Sequence, residues 1–512
     1  MNGVSWRGWI VTWLTKILFW RFAAQYKKRY GKDLPTILIA GTVGKTSQTL
    51  LLNNIFAEAG WNVFSGAKKA QSLNSITGLA MVVGGFSVRF EGARKRIAGI
   101  EFIVRTIFSI LTLRTDFPEN SIVIYECGID SAGEACLFDM VFAPVKPILI
   151  VTSVTAEHTQ GFNTPFNPAE IVRLGGRLPA EFLTLFTKKE ATDAEKNVAL
   201  EQVYIHTNPS ALILPTSLQT INTSFVETLS RSSQVHNVLA ARDKNFSLVV
   251  EGKFVTNPSY LMPFSFAKTV STAALVAIHF NIAESTIIDV IRKTQWPSGR
   301  FSLFSGKNNT TLVDSTYNAD PASVVGFLDL LEEVIVSYQD AYRQYQKTEE
   351  DKHLYRPNSH LIKNTQPVVP PKHLLVLGEM RELGADSPRY HKEVLVYLLS
   401  LARKYPDFIE NVYLVGKSWL AADSDTTPKS ENGMYFIQVE KQLFKVAESV
   451  RYLKPLIDET SLRPSSWVWL KGSQNTIFLE SMVEHLLLNP EDTDLLCRRG
   501  DGWNKVRKPF VE

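Results

Sequence analysis

The sequence predicts an α/β protein. A central P-loop-type ATPase domain with a mostly parallel sheet comes first, and a C-terminal Rossmann-like α/β domain follows. Three observations carry this. From Pro35 onward, short apolar runs alternate with amphipathic stretches, the pattern of strands covered by connecting helices. One such run, Ile37–Ala40, breaks into Gly-Thr-Val-Gly-Lys-Thr-Ser at 41–47 and then into a helical stretch. The length of 512 residues leaves room for about three domains of 100–200 residues each.

The first element lies before the sheet. Residues 6–30 hold Trp6, Trp9, Trp13 and Trp20 among apolar neighbours and end in Lys27, Lys28 and Arg29. Arg7, Lys16 and Arg21 interrupt the run, which leaves it short for a membrane span. It lacks the small-residue cleavage site of a secretory signal. Trp9, Trp13, Leu14, Ile17 and Trp20 recur near helical spacing. Two readings follow: an interfacial helix in peripheral contact with an anionic membrane, or a helix packed on the protein's own core or on a partner. Residues 1–34 are therefore set apart as an N-terminal helical segment, 35–296 as the central domain and 297–512 as the C-terminal domain.

The predicted strands are Thr36–Ala40, Ile122–Glu126, Pro147–Thr152, Ala211–Leu214, Leu374–Leu377, Val412–Val415 and Trp467–Leu470. Between the first two, residues 97–113 read as a helix with Phe102, Thr106, Ile110 and Leu113 near one face. A self-covered helix is expected there, with a second membrane contact as the alternative. Residues 162–189 and 336–372 are proline-containing excursions, and Trp-Pro-Ser-Gly-Arg at 296–300 marks the junction between the two large domains.

Composition narrows the function classes. Hydrophobic residues make up 45% of the chain, enough for a sizeable core. A formal charge of +4 from 55 basic and 51 acidic residues does not favour a nucleic-acid partner. Cys127, Cys136 and Cys497 have no metal-ligand spacing and cannot all pair, which suits a reducing, cytoplasmic compartment.

The chemistry centres on the loop after the first strand. Gly41 and Gly44 permit a tight turn whose N–H groups converge on an anion. Lys45 adds a point charge for phosphate, and Thr46 or Ser47 offers a hydroxyl to Mg²⁺. The helix that follows aims its N-terminus at the same place. The general P-loop pattern requires glycine where Ile39 stands, so the reading rests on strand, loop and helix in that order. A glycine turn before an ordinary helix is the alternative. The strand ending in Glu126 delivers a carboxylate to the sheet edge where ligands bind, suited to holding Mg²⁺ directly or through water. The third strand leads to Glu157-His158, where His158 is a ligand, a group supporting one, or a structural histidine.

These blocks resemble the Mur ligases, ATP-dependent amide-forming enzymes of peptidoglycan synthesis. The likeness runs from Pro35 to the C-terminus. GTVGKTS at 41–47 is similar to the family's phosphate loop, and YECGIDSAGEACLF at 125–138 to its Glu-x-Gly block. VTSVTAEHTQGF at 151–162 is similar to its histidine block, and SGRFSLF with LVDSTYNADPASV to its Gly-Arg and Asp-x-x-Tyr-Asn-Ala-x-Pro segments. LGEMRELGADSPRYH and LKGSQNTIFLESMV resemble its C-terminal blocks, most closely those of the branch that adds D-alanyl-D-alanine to a UDP-muramoyl-tripeptide.

The resemblance implies specific roles. Lys45 would grip the ATP phosphates with Gly41, Thr42, Val43, Gly44 and Ser47 around them. Thr46, Glu126 and His158 would surround Mg²⁺. Lys196 would be the carbamylated lysine that helps hold a second Mg²⁺. Arg300, Asp314, Tyr317 and Asn318 would contact the nucleotide, and Glu379, Lys471, Gly472 and Ser473 a substrate. The implied reaction joins a carboxylate to an amine through an acyl phosphate, in a monomer taking a small-molecule or peptide-nucleotide substrate. Closure of a mobile C-terminal domain, hinged near 296–300, would exclude water. The chain departs from the family in three places. The short N-terminal segment stands where the UDP-binding domain is usual, FAKTVSTAALVAI replaces the His-Asn block, and Gln160 replaces an acidic residue. Two alternatives stay open: a ligase for another peptide or polymer, and a membrane-associated nucleotide-binding scaffold with little or no ligase activity.

Overall fold

The computed structural model describes residues 6–41, 44–68, 71–72, 74–84, 95–112, 117–128, 134–145, 147–152, 212–213, 240–242, 248–250, 253–254, 260–261, 263–354, 371–381, 383–422, 430–431, 433–440, 442–458, 462–473 and 477–511. The chain divides into two compact units. One comprises Met1–Ala241, Leu248–Asn257 and Ser265–Gln295, the other Arg242–Ser247, Pro258–Phe264 and Trp296–Glu512.

The first unit opens with α1 (Trp6–Tyr30), β1 (Thr36–Ala40), α2 (Lys45–Glu58) and β2 (Asn62–Ser65). A two-residue hairpin, β3 (Ala67–Lys68) and β4 (Gln71–Ser72), leads to α3 (Ile76–Gly84) and α4 (Lys95–Thr112). Then come β5 (Ser121–Glu126), α5 (Glu134–Phe142), β6 (Ile148–Val151) and β7 (Leu212–Ile213). A small three-stranded sheet holds β8 (Ala240–Arg242), β9 (Leu248–Val250) and β10 (Lys253–Phe254), with β9 and β10 antiparallel, and the helices α6 (Phe264–His279) and α7 (Glu284–Lys293) follow.

The main sheet runs β2-β5-β1-β6-β7, and every pairing is parallel. β1 is buried at all five positions, as a central strand covered on both faces must be. Its register sets Ile39 against Glu126 on one side and Ala40 against Val151 on the other. The loop leaving β1 therefore emerges beside the end of β5, at the C-terminal edge of the sheet.

α1 takes the core-packed reading on one face. Leu18, Phe19, Phe22 and Tyr26 are fully buried in a cluster with Leu79 of α3, Val123 and Tyr125 of β5, and Phe138 and Phe142 of α5. The Phe19 and Phe142 rings meet edge to face at 4.7 Å. Trp20 Nε1 donates to the Val141 carbonyl at 2.9 Å, and the Tyr26 hydroxyl donates to the Glu119 carbonyl at 2.5 Å. The helix is thus part of the first unit's core. On α4, Phe102 and Thr106 are buried and Ile110 is half-buried, the face the periodicity indicates. The self-covered reading fails for the opposite face, where Val104, Ile107, Phe108 and Leu111 are exposed.

The second unit contains an eight-stranded mixed sheet. Its chain order is β11 (Ser302–Gly306), β12 (Thr310–Ser315), α8 (Pro321–Leu354), β13 (His373–Gly378), α9 (Ser387–Lys404) and β14 (Ile409–Val415). β15 (Ser430–Glu431), β16 (Met434–Val439), β17 (Gln442–Ala447), α10 (Val450–Leu453), β18 (Trp467–Lys471), α11 (Glu480–Leu486) and α12 (Asp501–Val511) complete it. The order across the sheet is β11-β12-β18-β13-β14-β17-β16-β15. Its five central strands, β12 to β17, are parallel, and the edges add antiparallel strands. Asp320 starts α8: its carboxylate accepts the Ser323 N–H at 3.1 Å while Ser323 Oγ accepts the Asp320 N–H at 3.0 Å.

The seven expected strands all occur, with ends displaced by up to a few residues. Among the strands the sequence reading omits are β2, the β11–β12 hairpin and the β16–β17 pair. β2, β16 and β17 carry exposed positions, which dilutes the continuous apolar run that marks a central parallel strand.

Candidate active site

The phosphate-loop segment takes its shape from two glycines in the left-handed region. Gly41 has φ 121 and Gly44 has φ 92, the latter as N-cap of α2. Gly44, as N-cap, brings no side chain to the first turn of α2. That end of a 14-residue helix presents donors and the positive end of its dipole. Across the loop, Thr152 donates its N–H to the Ala40 carbonyl at 2.9 Å, and its Cβ would lie 3.6 Å from a Cβ placed on Gly44.

Lys45, Thr46 and Glu126 converge here. Thr46 Oγ1 donates to Glu126 Oε1 at 3.4 Å, across 80 residues of sequence. Lys45 Nζ donates to the Gly41 carbonyl at 2.6 Å, so its ammonium folds back over the loop. Glu126 is almost wholly buried, and Ser47 is buried on the α2 turn. The next residues fix the carboxylate's backbone. Cys127 N–H donates to the Ile39 carbonyl at 2.7 Å, and Gly128 N–H to the Asn74 carbonyl at 2.8 Å. A Cβ on Gly128 would meet the Asn74 side chain at 2.9 Å, which explains glycine two residues after Glu126. The Tyr125 hydroxyl donates to the Ser75 carbonyl from the same strand. Burial pushes the Cys127 thiol far up, which keeps it neutral beside the carboxylate.

The donor set fits a hard cation. A hydroxyl and a carboxylate oxygen lie side by side, and Mg²⁺ typically takes one or two protein oxygens together with substrate phosphates and water. Among the described residues, no group of three or more His, Cys, Asp or Glu could hold a metal ion by itself. Thr42, Val43, His158 and Lys196 lie outside the described residues.

The second unit gathers its own set of predicted residues. Asp314 ends β12 fully buried, and its Oδ1 accepts the Thr316 N–H at 3.0 Å and the Thr316 hydroxyl at 2.6 Å. Its Oδ2 has no hydrogen-bond partner among the described residues. Burial pushes the Asp314 carboxyl up to about 6, against the opposing pull of the Thr316 donors. Arg300 stacks its guanidinium 4.6 Å from the centre of the Tyr317 ring. Tyr317 N–H donates to the Gly299 carbonyl at 3.2 Å. Gly299, with φ 73, has no room for a Cβ: Tyr317 N would lie 2.9 Å away. Lys471, at the end of β18, donates from Nζ to the Asn318 carbonyl.

The other substrate candidates sit at the ends of neighbouring strands. Glu379 follows β13 and is buried: its Oε2 accepts the Ser418 N–H at 2.8 Å, and Arg381 lies 3.4 Å from Oε1. Gly472 approaches Gly378, whose added Cβ would lie 3.0 Å from the Gly472 Cα. Ser473 is fully buried, and its Oγ has no hydrogen-bond partner among the described residues. His391 braces the loop after Glu379. Its Nε2 accepts the Met380 N–H at 3.0 Å, so the ring proton sits on Nδ1, 2.7 Å from the Ser387 carbonyl. Burial lowers its pKa, which keeps it neutral.

One brace escaped the sequence reading altogether. Arg498 and Glu480 form a buried bidentate pair, at 2.9 Å from Nε to Oε1 and 2.8 Å from Nη2 to Oε2. Arg498 also donates to the carbonyls of Thr316, at 2.7 Å, and Tyr317, at 2.9 Å. Cys497 Sγ sits 3.7 Å from Thr316 Oγ1. The segment from Asp314 to Asn318 is therefore held from the C-terminal end of the chain.

No family model matches the chain, and no curated protein does. Solved structures do. Two crystal structures of MurF from Acinetobacter baumannii superpose with a TM-score of 0.50 and 15% identity, covering 91% of this chain and 79% of theirs. The chain has the Mur ligase fold. A MurF ligase from Thermotoga maritima, crystallised with ADP, aligns at a TM-score of 0.49 and 13% identity over 93% of this chain and 84% of its own. The multi-domain α/β organisation of the Mur ligase fold agrees with the parallel-dominated sheets of the two units.

Proposed function

We propose that this chain is an ATP-dependent carboxylate–amine ligase acting through an acyl phosphate. The convergence of Lys45, Thr46 and Glu126 at the N-terminus of α2 carries the reading. A helix N-terminus opened by left-handed glycines, a lysine and a hydroxyl–carboxylate pair are what a magnesium-bound triphosphate requires. A structural salt link would not need the left-handed glycines.

The carboxylate of the donor attacks the γ-phosphorus of ATP, the bond to the β,γ-bridging oxygen breaks, and ADP leaves. The amine then attacks the acyl carbon, phosphate departs with the former carboxylate oxygen, and the nitrogen loses its proton. Lys45 offsets charge on the transferring oxygens, and the loop N–H groups position them. Thr46 and Glu126, with His158, are the proposed Mg²⁺ holders, and a carbamylated Lys196 would help hold a second; the bound cations would neutralise phosphoryl charge. Arg300, Asp314, Tyr317 and Asn318 are the second unit's candidates for nucleotide recognition. Glu379, Lys471, Gly472 and Ser473 are its candidates for the substrate.

The proposed substrates are a UDP-muramoyl-tripeptide or similar peptidoglycan precursor as donor and D-alanyl-D-alanine as acceptor. Phosphate release from ATP tests this directly. Release that requires both substrates, with formation of the amide, is the expected result. Release with neither substrate would reduce the protein to a nucleotide hydrolase. Bound ATP without release under any substrate combination would make it a scaffold.

A further inference from the structure

Two helices of the first unit carry apolar side chains on the side turned away from the core. On α1, the face opposite Leu18, Phe19, Phe22 and Tyr26 presents Trp9, Trp13 and Trp20, which are 39%, 57% and 39% exposed. On α4, Val104, Ile107, Phe108 and Leu111 recur at i, i+3, i+4 and i+7 and are 60%, 42%, 65% and 68% exposed. A helix resting on a soluble domain places polar residues along its solvent stripe. α4 has an apolar stripe on both sides, one facing the core and one facing out.

The two helices pack against each other. Arg21 of α1 donates to the Leu111 carbonyl of α4 at 3.3 Å, which joins them at the exposed surface. Lys16 holds its ammonium 4.5 Å from the centre of the Trp20 ring. α1 contains no acidic residue, while its sequence carries Arg7, Lys16, Arg21, Lys27, Lys28 and Arg29. Tryptophan beside lysine and arginine is the composition favoured at the boundary between lipid headgroups and acyl chains. No described helix is long and apolar enough to cross a membrane.

We propose that α1 and α4 form one platform that lies in the interface of an anionic lipid bilayer. Trp9, Trp13, Val104, Ile107, Phe108 and Leu111 enter the acyl boundary, and the basic residues of α1 meet lipid phosphates. The charge decides between occupants. A second copy of this chain would bring the same cationic helix against the first, and like charges repel. An anionic bilayer supplies both an apolar layer and the opposite sign. The inference is independent of the ligase reading, because it uses none of the residues assigned to the nucleotide.

Flotation of the full chain with vesicles tests it, without nucleotide. Wild-type protein should bind phosphatidylcholine–phosphatidylglycerol vesicles and leave pure phosphatidylcholine vesicles largely unbound. Phe108→Ser with Leu111→Ser should weaken binding by roughly tenfold or more. Trp9→Ser with Trp13→Ser should do the same, and both double variants should melt like wild type because their positions are exposed. Brominated acyl chains should quench tryptophan fluorescence in the wild type. Absence of binding to anionic vesicles overturns the proposal. Binding unchanged in both double variants also overturns it, since another surface would then be responsible. A dimer that dissociates in these variants, without vesicle binding, assigns the surface to self-association instead. Any of these failures leaves substrate-dependent phosphate release unaffected, so the two readings fall separately.

Discussion

Lys45 and Asp314 show what a single side chain does at each unit's site. Lys45 donates to the Gly41 carbonyl at the phosphate-loop turn, a hydrogen bond that contributes little that water could not replace. Lys45→Ala should reduce amide formation by about 10²-fold or more with an unchanged melting curve. Wild-type turnover in that variant removes the phosphate-loop assignment. Asp314 behaves differently, because its carboxyl is pushed up to about 6 in the folded chain against 3.8 in the reference state. A raised pKa means that the protonated form is favoured by folding. Its contribution is fully present below about 3.8 and is lost as pH rises through about 6. Wild-type stability should therefore fall between pH 4 and pH 7 relative to Asp314→Asn, by about 2–3 kcal/mol at most. Parallel pH profiles from denaturant titrations of the two proteins would show that Asp314 titrates alike in the folded and unfolded chain. The Arg498–Glu480 pair is the third case. Glu480→Gln leaves a buried guanidinium without its counter-charge and should cost about 3–5 kcal/mol, read from the denaturant midpoint. A loss under 1 kcal/mol would show that the two carbonyls of Thr316 and Tyr317 suffice to hold Arg498.

At the scale of one element, α4 offers the clearest experiment. Phe102 and Phe108 share a helix, and their environments are opposite: one is 2% exposed in the core, the other 65% exposed. Phe102→Ala should cost about 3–5 kcal/mol and Phe108→Ala almost nothing. Equal losses at both positions would mean that the outer stripe is covered. The sequence displays both stripes, but periodicity cannot say which one meets the protein. That follows only from where α1, α3 and the sheet leave a gap to fill. β1 is the contrasting case. Its unbroken apolar run marks a central parallel strand by itself, and the glycine-rich turn after it marks where the strand must end.

For the whole molecule, α1 decides how the N-terminus can be tested. Removing residues 1–30 deletes Leu18, Phe19, Phe22, Ala23 and Tyr26 from the first unit's main core. Such a truncation should fail to give a soluble, cooperatively melting protein, which makes it unsuitable as a probe of vesicle binding. A truncated chain that melts like wild type would refute the core role of α1. Of the two readings given for this segment, packing on the protein's own core holds for its inner face.

Local chemistry was legible from the residues alone. The run of strands, the left-handed glycines at 41 and 44, the lysine and hydroxyl after them, and Glu126 at a strand end all depend on neighbours a few positions away. The tertiary structure alone decided that Arg498 braces Thr316 across 182 residues and which side of α4 faces outward. Strand order, register and burial arise from contacts between distant segments, and a pattern of spacing carries no information about which segments will meet.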